Sequence, residues 1–205
     1  MFKIATRIYK ITGILFCRIC LLLWNLRDKL NPPKTDSVLF IAHPDDDTLF
    51  FHSFIIENKP YVCLMTLGYS LKRMPDFIKV MRHYGVRFRA YPLDSRDSRT
   101  KLLEMQVKSV LKLADFKTVA THNMTGEYGH EEHIRVHNAV ISVCRNRKVI
   151  CPVDMSIIEE YPLDNKTVED KRYIFENFYR SEKWVLTEEE SGAPVWVSHE
   201  QLEVQ

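Results

Sequence analysis

From residue 37 onward, apolar segments with the pattern of strands alternate with segments that have the period of a helix, and this alternation constrains the fold most. The predicted strands span residues 37–42, 61–66, 86–91, 117–121 and 148–153. The predicted helices span residues 47–58, 74–84, 99–114, 131–146 and 167–182. Such alternation predicts an α/β fold, with a Rossmann-like, mostly parallel sheet and helices on both of its faces.

The composition is that of a globular protein. With 205 residues, of which 45% are hydrophobic, the chain is large enough for one domain and an additional segment. The net charge of +2 provides no electrostatic basis for nucleic-acid binding, so we predict no nucleic-acid partner. The five cysteines are an odd number scattered through core-type positions, from which we expect a reducing compartment and no disulfide framework.

Residues 1–30 differ from the rest of the chain. Between Ile11 and Leu26 the segment is strongly apolar, but Arg18 interrupts it, so it falls short of an uninterrupted membrane-spanning helix. On a helical wheel, four basic side chains fall within about 80° of one another: Lys3, Arg7, Lys10 and Arg18. A narrow basic stripe on an apolar helix is typical of a helix that lies in an anionic membrane interface.

This interpretation predicts a membrane-associated protein whose globular domain lies on the cytoplasmic side. A secretory signal peptide is a competing interpretation, although no small-x-small cleavage site follows. A helix packed against the globular domain, or against another subunit, is a further alternative, and the oligomeric state stays open. Residues 31–36 are predicted to form a short, stiff linker, and residues 37–205 the globular domain.

The first predicted strand ends in an unusual group of polar residues. Directly after the apolar run 37–42 come His43 and Pro44, followed by three consecutive aspartates, residues 45–47. Adjacent carboxylates repel one another unless a cation or a reaction uses them. A helix cap would explain one acid but not three. Because these acids stand where glycines would cradle a pyrophosphate, we expect no nucleotide cofactor. Because they follow the carboxyl end of a predicted strand, we expect a ligand at this end of the sheet.

A second polar group lies at the start of the fourth predicted helix of the globular domain. His130 and His133 are three residues apart, so both side chains face the same side of that helix. Three protein ligands with one open position are the usual form of a catalytic zinc site. His43, Asp46 and His133 could supply two nitrogens and one oxygen for such a site.

These two motifs resemble those of the PIG-L/LmbE-type metal-dependent de-N-acetylases. These enzymes remove the acetyl group from N-acetylglucosamine in glycolipids and related conjugates. The family motif Ala-His-Pro-Asp-Asp-Glu corresponds to residues 42–47, with Asp47 in place of the glutamate. The Tyr- and Gly-rich approach to His-x-x-His corresponds to residues 126–133. The resemblance covers roughly residues 37–182, the scale of one domain.

The resemblance implies a ligand set and a mechanism. His43, Asp46 and His133 would hold Zn²⁺, or Fe²⁺ in its place. Asp45 would be the general base for the metal-bound water. Protonated His130 would stabilise the oxyanion and pass a proton to the departing amine.

The resemblance also implies two contacts with the substrate. Tyr128 corresponds to a tyrosine that polarises the acetyl carbonyl. Arg73 corresponds, more weakly, to an arginine that would hold a sugar hydroxyl or a phosphate, since a guanidinium matches such oxygens in a bidentate way. The altered residue Asp47 and the short loop 68–72 bear on the substrate more than on the reaction.

Together these features predict a metal-dependent hydrolase that removes the N-acetyl group from an N-acetylglucosamine-type sugar. The apolar residues 1–30 suggest that this sugar belongs to a lipid-linked glycan or a glycolipid. Two alternatives stay open. One is deacetylation of a soluble amino-sugar conjugate, and the other is a catalytically inactive, membrane-tethered binding subunit.

Overall fold

The computed structural model describes residues 2–93, 100–145, 147–154, 163–186 and 200–204. The helices are α1 (Phe2–Leu30), α2 (Asp46–Asn58), α3 (Met74–Tyr84), α4 (Thr100–Leu111), the single turn α5 (Gly126–Gly129), α6 (Glu131–Val143) and α7 (Asn165–Asn177). The strands are β1 (Ser37–Ile41), β2 (Tyr61–Leu64), β3 (Phe88–Ala90), β4 (Thr118–Thr121), β5 (Lys148–Pro152) and β6 (Leu202–Val204). A 3₁₀ segment spans Arg180–Leu186.

The strands form one six-stranded sheet in the order β3-β2-β1-β4-β5-β6. The first five strands are parallel, and β6 runs antiparallel to β5. All residues of β1 and β2 are buried, as expected of strands that are covered on both faces. This confirms the predicted α/β fold.

The two faces of the sheet carry two separate layers of the hydrophobic core. In β1, Leu39 and Ile41 point to the layer formed with α2, α3 and α7, whereas Val38 and Phe40 point to the layer formed with α4 and α6. This alternation is the two-residue period of a strand. The connection after β1 therefore passes over one face and the connection after β4 over the other. Their carboxyl ends meet at the topological switch point, where open α/β sheets bind ligands.

The predicted elements differ from the observed ones at the C-terminal end of the chain. Helix α7 ends at Asn177, five residues before the predicted end, and the 3₁₀ segment follows. Strand β6 has only three residues, two of them exposed, which is too short for a recognisable pattern. The run Val-Trp-Val at 195–197 has the composition of an edge strand or of a flap over the substrate, and it lies outside the described residues.

Helix α1 packs along the edge strand β3. Gly13 approaches so closely that a β-carbon there would lie 2.0 Å from the carbonyl oxygen of Tyr69, so only glycine fits. The thiol of buried Cys17 donates to the carbonyl of Ala90, and the rings of Trp24 and Phe88 meet edge to face at 5.6 Å.

A buried ion cluster fastens the end of α1 to the sheet. The carboxylate of Asp28 accepts hydrogen bonds from Arg89 and Arg87, each at 2.6 Å, and from the hydroxyl of Tyr61 at 2.5 Å. Burial favours the protonated form of Asp28, but the hydrogen bonds from Tyr61 and Arg89 and the charge of neighbouring Arg27 outweigh it and hold its pKa below the usual range. The segment predicted as a separate N-terminal unit therefore contacts the globular domain through charged and apolar groups.

Candidate metal centre and catalytic site

The first motif forms the turn between β1 and α2. Asp45 has a φ of 106°, a conformation that non-glycine residues rarely adopt and that is characteristic of strained functional turns. The backbone N–H of His43 donates to Asp46 Oδ2 at 2.6 Å, which closes the turn. His43, Asp45 and Asp46 are all buried.

The three residues predicted to bind a metal converge at the carboxyl ends of β1 and β4. His43 Nδ1 lies 3.3 Å from His133 Nε2 and 3.7 Å from Asp46 Oδ2. His133 Nε2 lies 3.4 Å from Asp46 Oδ1. Two imidazole nitrogens and a carboxylate oxygen at these separations are a donor set that suits a divalent transition metal.

The environment of His133 supports a role as a ligand. Its Nδ1 lies 2.6 Å from Glu127 Oε2, and a donated hydrogen bond there leaves Nε2 facing His43 and Asp46. Burial lowers the pKa of His133, but the carboxylates of Asp46 and Glu127 outweigh it and raise the value to about 10. A cation bound at this site therefore takes the place of a proton.

Sequence reasoning missed the importance of Glu127. A glutamate in a glycine-containing loop is usually solvated, yet this residue is fully buried, with a φ of 61°. Its Oε2 also lies 3.1 Å from His122 Nδ1, while its Oε1 accepts from the backbone N–H of Asn123 at 2.9 Å. Glu127 thus orients two imidazoles at once. The only signal in the sequence was its position within the motif.

His122 is a second residue that the sequence did not assign. Asp46, His122 and His133 offer ligand atoms within 4.8 Å of one another, which makes His122 an alternative ligand. However, His122 Nε2 accepts a hydrogen bond from the backbone N–H of Ala42 at 2.9 Å, so its lone pair is engaged. The geometry therefore favours His43 over His122 as the second nitrogen ligand.

His130, the predicted proton donor, stands beside the convergent ligands. His43, His130 and His133 also offer ligand atoms within 4.8 Å of one another, and the rings of His130 and His133 stack at 4.4 Å. The Nδ1 atom of His130 lies 3.1 Å from Glu132 Oε2, but the orientation is not that of a hydrogen bond. Burial and the neighbouring His133 lower the pKa of His130, and the carboxylates of Asp46 and Glu132 offset only part of that shift.

Asp45, the predicted general base, is paired with Arg73. Arg73 Nη2 lies 2.9 Å from Asp45 Oδ1 and donates to the carbonyl of Pro44 at 2.5 Å. Arg73 Nε lies 3.3 Å from Glu182 Oε1. Burial raises the pKa of Asp45 well above its usual range, while Arg73 opposes that rise. Arg73, predicted to contact the substrate, is thus positioned to orient the base as well.

Asp47 is a buried support for this turn. Its carboxylate accepts hydrogen bonds from Tyr179 at 2.6 Å and from Thr48 at 2.8 Å. The backbone N–H of Asp45 lies 3.4 Å from the same carboxylate. The side chain of Asp47, which stands where the motif it resembles has a glutamate, therefore has a full set of partners, one of them from the segment that follows α7.

A cavity of about 250 Å³ opens over these groups. It is lined by His43, Asp45, Asp46, Leu49, Leu67, Arg73, Tyr128, His130, Glu132 and Glu182. Tyr128 is half exposed at its rim. A larger cavity of about 590 Å³ lies at the opposite end of the sheet and includes none of the predicted site residues.

Comparisons with known proteins identify the fold. A zinc-inhibited form of a teicoplanin deacetylase is 16% identical, with a TM-score of 0.58 over 76% of this chain and 88% of that one. A deacetylase of the A40926 pseudoaglycone is 14% identical, with a TM-score of 0.55 over 74% of this chain and 84% of that one. GalB, the 4-carboxy-2-hydroxymuconate hydratase of Pseudomonas putida, is 12% identical, with a TM-score of 0.57 over 78% and 81%.

The sequence itself has one curated relative in these comparisons, and no family model matches it. An uncharacterized protein of Acanthamoeba polyphaga mimivirus is 28% identical over 121 residues, which cover 49% of this chain and 54% of that protein. The match thus spans about half the length of that relative. Because deacetylases and a hydratase share this fold, the reaction must be argued from the site.

Proposed function

We propose that this chain is a metal-dependent hydrolase that removes the N-acetyl group from an N-acetylglucosamine-type sugar. The observation that carries the proposal is the convergence of His43, Asp46 and His133 beside the buried carboxylate of Asp45. Zn²⁺ suits this donor set, and Fe²⁺ accepts the same ligands. The resemblance of both motifs, and the deacetylase activity named for two proteins of the same fold, support the reaction class.

Each residue of the site has a role in this proposal. A bound cation supplies Lewis acidity to the acetyl carbonyl and to the attacking water. Asp45 takes the proton of that water, while Arg73 holds one carboxylate oxygen of Asp45 in place. His130, which lines the cavity beside Glu132, gives a proton to the departing amine. Burial raises the pKa of Tyr128, so its phenol stays protonated and can donate to the acetyl oxygen.

The metal content of the purified protein tests this proposal. We expect about one zinc or iron per chain by mass spectrometry, and loss of that metal in His133→Ala. His83→Ala is the matched control, because His83 is an exposed histidine on α3. A wild-type chain that binds no metal, even after reconstitution, would favour the inactive binding subunit.

We also propose that α1 lies in a membrane interface and that the substrate is lipid-linked. Residues Thr6–Leu30 are long and apolar enough to cross a membrane, a test that core helices and signal sequences also pass. Stronger support comes from an exposed apolar stripe that occupies about 100° of the helix circumference. It comprises Ile8, Ile11, Leu15, Ile19, Leu22, Leu26 and Leu30. Arg7, Arg18 and Lys29 are exposed along one side of it.

The contacts of α1 favour an orientation parallel to the membrane. From Gly13 to Asp28, a length of roughly 22 Å, the opposite face of the helix is fastened to the folded domain. A spanning orientation would draw that domain into the hydrocarbon region or break these contacts. Lying flat, the helix buries the apolar stripe and brings its arginines and lysine to anionic headgroups.

Flotation with lipid vesicles tests this arrangement. We expect the full chain to float with vesicles that contain phosphatidylserine, and Leu15→Glu combined with Leu22→Glu to abolish flotation. Met105→Glu is the control, since Met105 is similarly exposed but lies on α4. A wild-type chain that ignores vesicles contradicts the proposal.

Deacetylation of a soluble amino-sugar conjugate is the second candidate. It is favoured by the two proteins of the same fold whose names refer to teicoplanin and to the A40926 pseudoaglycone. Release of acetate from water-soluble N-acetylglucosamine conjugates, with none from lipid-linked ones, would establish it.

A further inference from the structure

Helix α2 is broken in its middle, and the break is occupied by charged side chains. Phe51 has φ −134° and ψ 16°, outside the helical region, so α2 consists of two half-helices. In an uninterrupted helix the N–H of Ser53 would bond to the carbonyl of Leu49. Here Lys171 Nζ donates to the Leu49 carbonyl at 2.8 Å, and Glu200 Oε1 accepts from the Ser53 N–H at 2.8 Å.

The two inserted charges come from distant parts of the chain, and their signs complement the dipoles of the two half-helices. Lys171 is on α7, Glu200 precedes β6, and both side chains are buried, with their charged atoms 3.5 Å apart. The cation sits at the carboxyl end of the first half-helix. The anion sits at the amino end of the second, where it also accepts from the N–H of Phe54. Both positions complement the helix dipole.

Stability alone does not account for such a pair. Removing two charges from water is unfavourable, and apolar side chains of similar size are often as stable or more so. The ion pair does, however, satisfy the backbone groups that the break leaves without their helical partners. It therefore stabilises the broken form of α2 relative to a straight helix.

The first half-helix is the part of α2 that forms the candidate site. It begins at Asp46, and Leu49 lines the cavity. The ring of Phe50 lies 5.9 Å from that of His133 and 6.4 Å from that of Tyr128, measured between centroids. The bend of α2 at Phe51 therefore determines where Phe50 lies relative to Tyr128 and His133, which follow β4 in the chain.

We propose that Lys171 and Glu200 are positioning residues that hold α2 in its broken form and thereby place Asp46 and Phe50 against His133. This inference rests on the proposed metal site. It gives the C-terminal segment at residue 200 a part in metal binding, although it lies outside both motifs.

The test is the double variant Lys171→Met with Glu200→Met. It removes both inserted charges and leaves the Leu49 carbonyl and the Ser53 N–H free to bond to each other. We expect the melting temperature of the metal-free chain to be unchanged or higher. We expect zinc affinity, measured by competition with a chelator, to fall by about tenfold or more, with kcat falling alongside. The surface pair on α3 provides the control, as Asp76→Asn with Lys79→Met.

Stability and metal affinity separate the outcomes. Unchanged zinc affinity overturns the inference, and so does a fall in affinity that merely parallels a loss of folding. If the double variant does not fold, Glu200→Gln repeats the comparison with a milder change. If the wild type binds no zinc, the proposed metal site is wrong. The crystal structure of the variant then decides the inference by itself: a straight α2 supports it, and a retained break overturns it.

Discussion

At the scale of single residues, the candidate site depends on carboxylates that are buried and held by specific partners. Asp45 is fixed by Arg73 and by a turn with a positive φ, and Glu127 is fixed between two histidines. The two acids differ in what their carboxylates contact, and this distinguishes their roles. Asp45 lines the cavity, whereas Glu127 does not and instead contacts the two histidines and the backbone N–H of Asn123.

Replacing Asp45 with Asn should lower turnover strongly while sparing the metal. The amide keeps the shape of the carboxylate but cannot take a proton from water, so we expect a loss on the order of 100-fold or more. Acetate release and metal content measured on the same preparation check this. Asp76→Asn, on the surface of α3, serves as the comparison. Undiminished turnover would contradict the assignment of Asp45 as the base.

Replacing Glu127 with Gln should weaken the metal site without removing a ligand. The neutral amide holds His133 less firmly and no longer raises the basicity of its facing nitrogen. We expect zinc affinity to fall by roughly 10- to 100-fold. Competition with a chelator measures the change, with Glu176→Gln, exposed on α7, as control. An unaltered affinity would mean that Glu127 has no role in orienting the ligand.

The sequence predicts the part of the site that is local. His43, Asp45 and Asp46 are adjacent in the chain, and the spacing of His130 and His133 is readable as one face of a helix. Glu127 was not predictable, because its burial depends on how the loop after β4 folds over the sheet. The pairing of Arg73 with Asp45 depends in the same way on a contact between distant segments.

At the scale of elements, α1 shows how a segment can be recognised while its contacts are not. Its apolar character and its basic stripe are both visible in the sequence. The partners of Asp28 lie on β2 and β3 and on the residue just before β3, and nothing in a one-dimensional pattern pairs them. The same holds for the break in α2, whose stabilising charges lie 122 and 147 residues away along the chain.

The Asp28 cluster should make stability depend on pH in acid. Its pKa in the folded state is below the unfolded value of about 3.9, so its contribution is complete above that pH and is lost as the pH falls through the folded pKa. Asp28→Asn should cost about 3 kcal/mol at pH 7, since it leaves Arg87 and Arg89 without their carboxylate. Urea unfolding from pH 7 to pH 3 measures both effects. A gap between wild type and variant that does not narrow in acid would contradict the ionic origin of this contribution.

At the scale of the whole molecule, the order of strands explains why the two motifs meet. Alternating strands and helices predict a parallel sheet, and the sheet brings the carboxyl ends of β1 and β4 side by side. The sequence does not show that the sheet ends in an antiparallel strand, nor that α1 covers its opposite edge. Helix α1 thus covers the β3 edge, and the edge strand on the other side, β6, has only three residues, so little strand edge is exposed.

The placement of α1 relative to the cavity leads to a prediction about substrate delivery. Helix α1 contacts the loop after β2 at Tyr69, and Leu67 of that loop lines the cavity. A helix lying in the interface would therefore hold the cavity close to the bilayer surface. We expect Leu15→Glu combined with Leu22→Glu to raise KM for lipid-linked N-acetylglucosamine in vesicles about tenfold or more, a loss of at least 1.4 kcal/mol in binding.

The same variant should leave KM and kcat for a water-soluble N-acetylglucosamine conjugate unchanged, because its substitutions lie on the exposed face of α1 and touch no residue of the cavity. Met105→Glu should alter neither substrate. Equal losses on both substrates would mean that the substitutions disturb the fold rather than membrane contact. Unchanged kinetics on vesicles would mean that α1 has no part in bringing the substrate to the site.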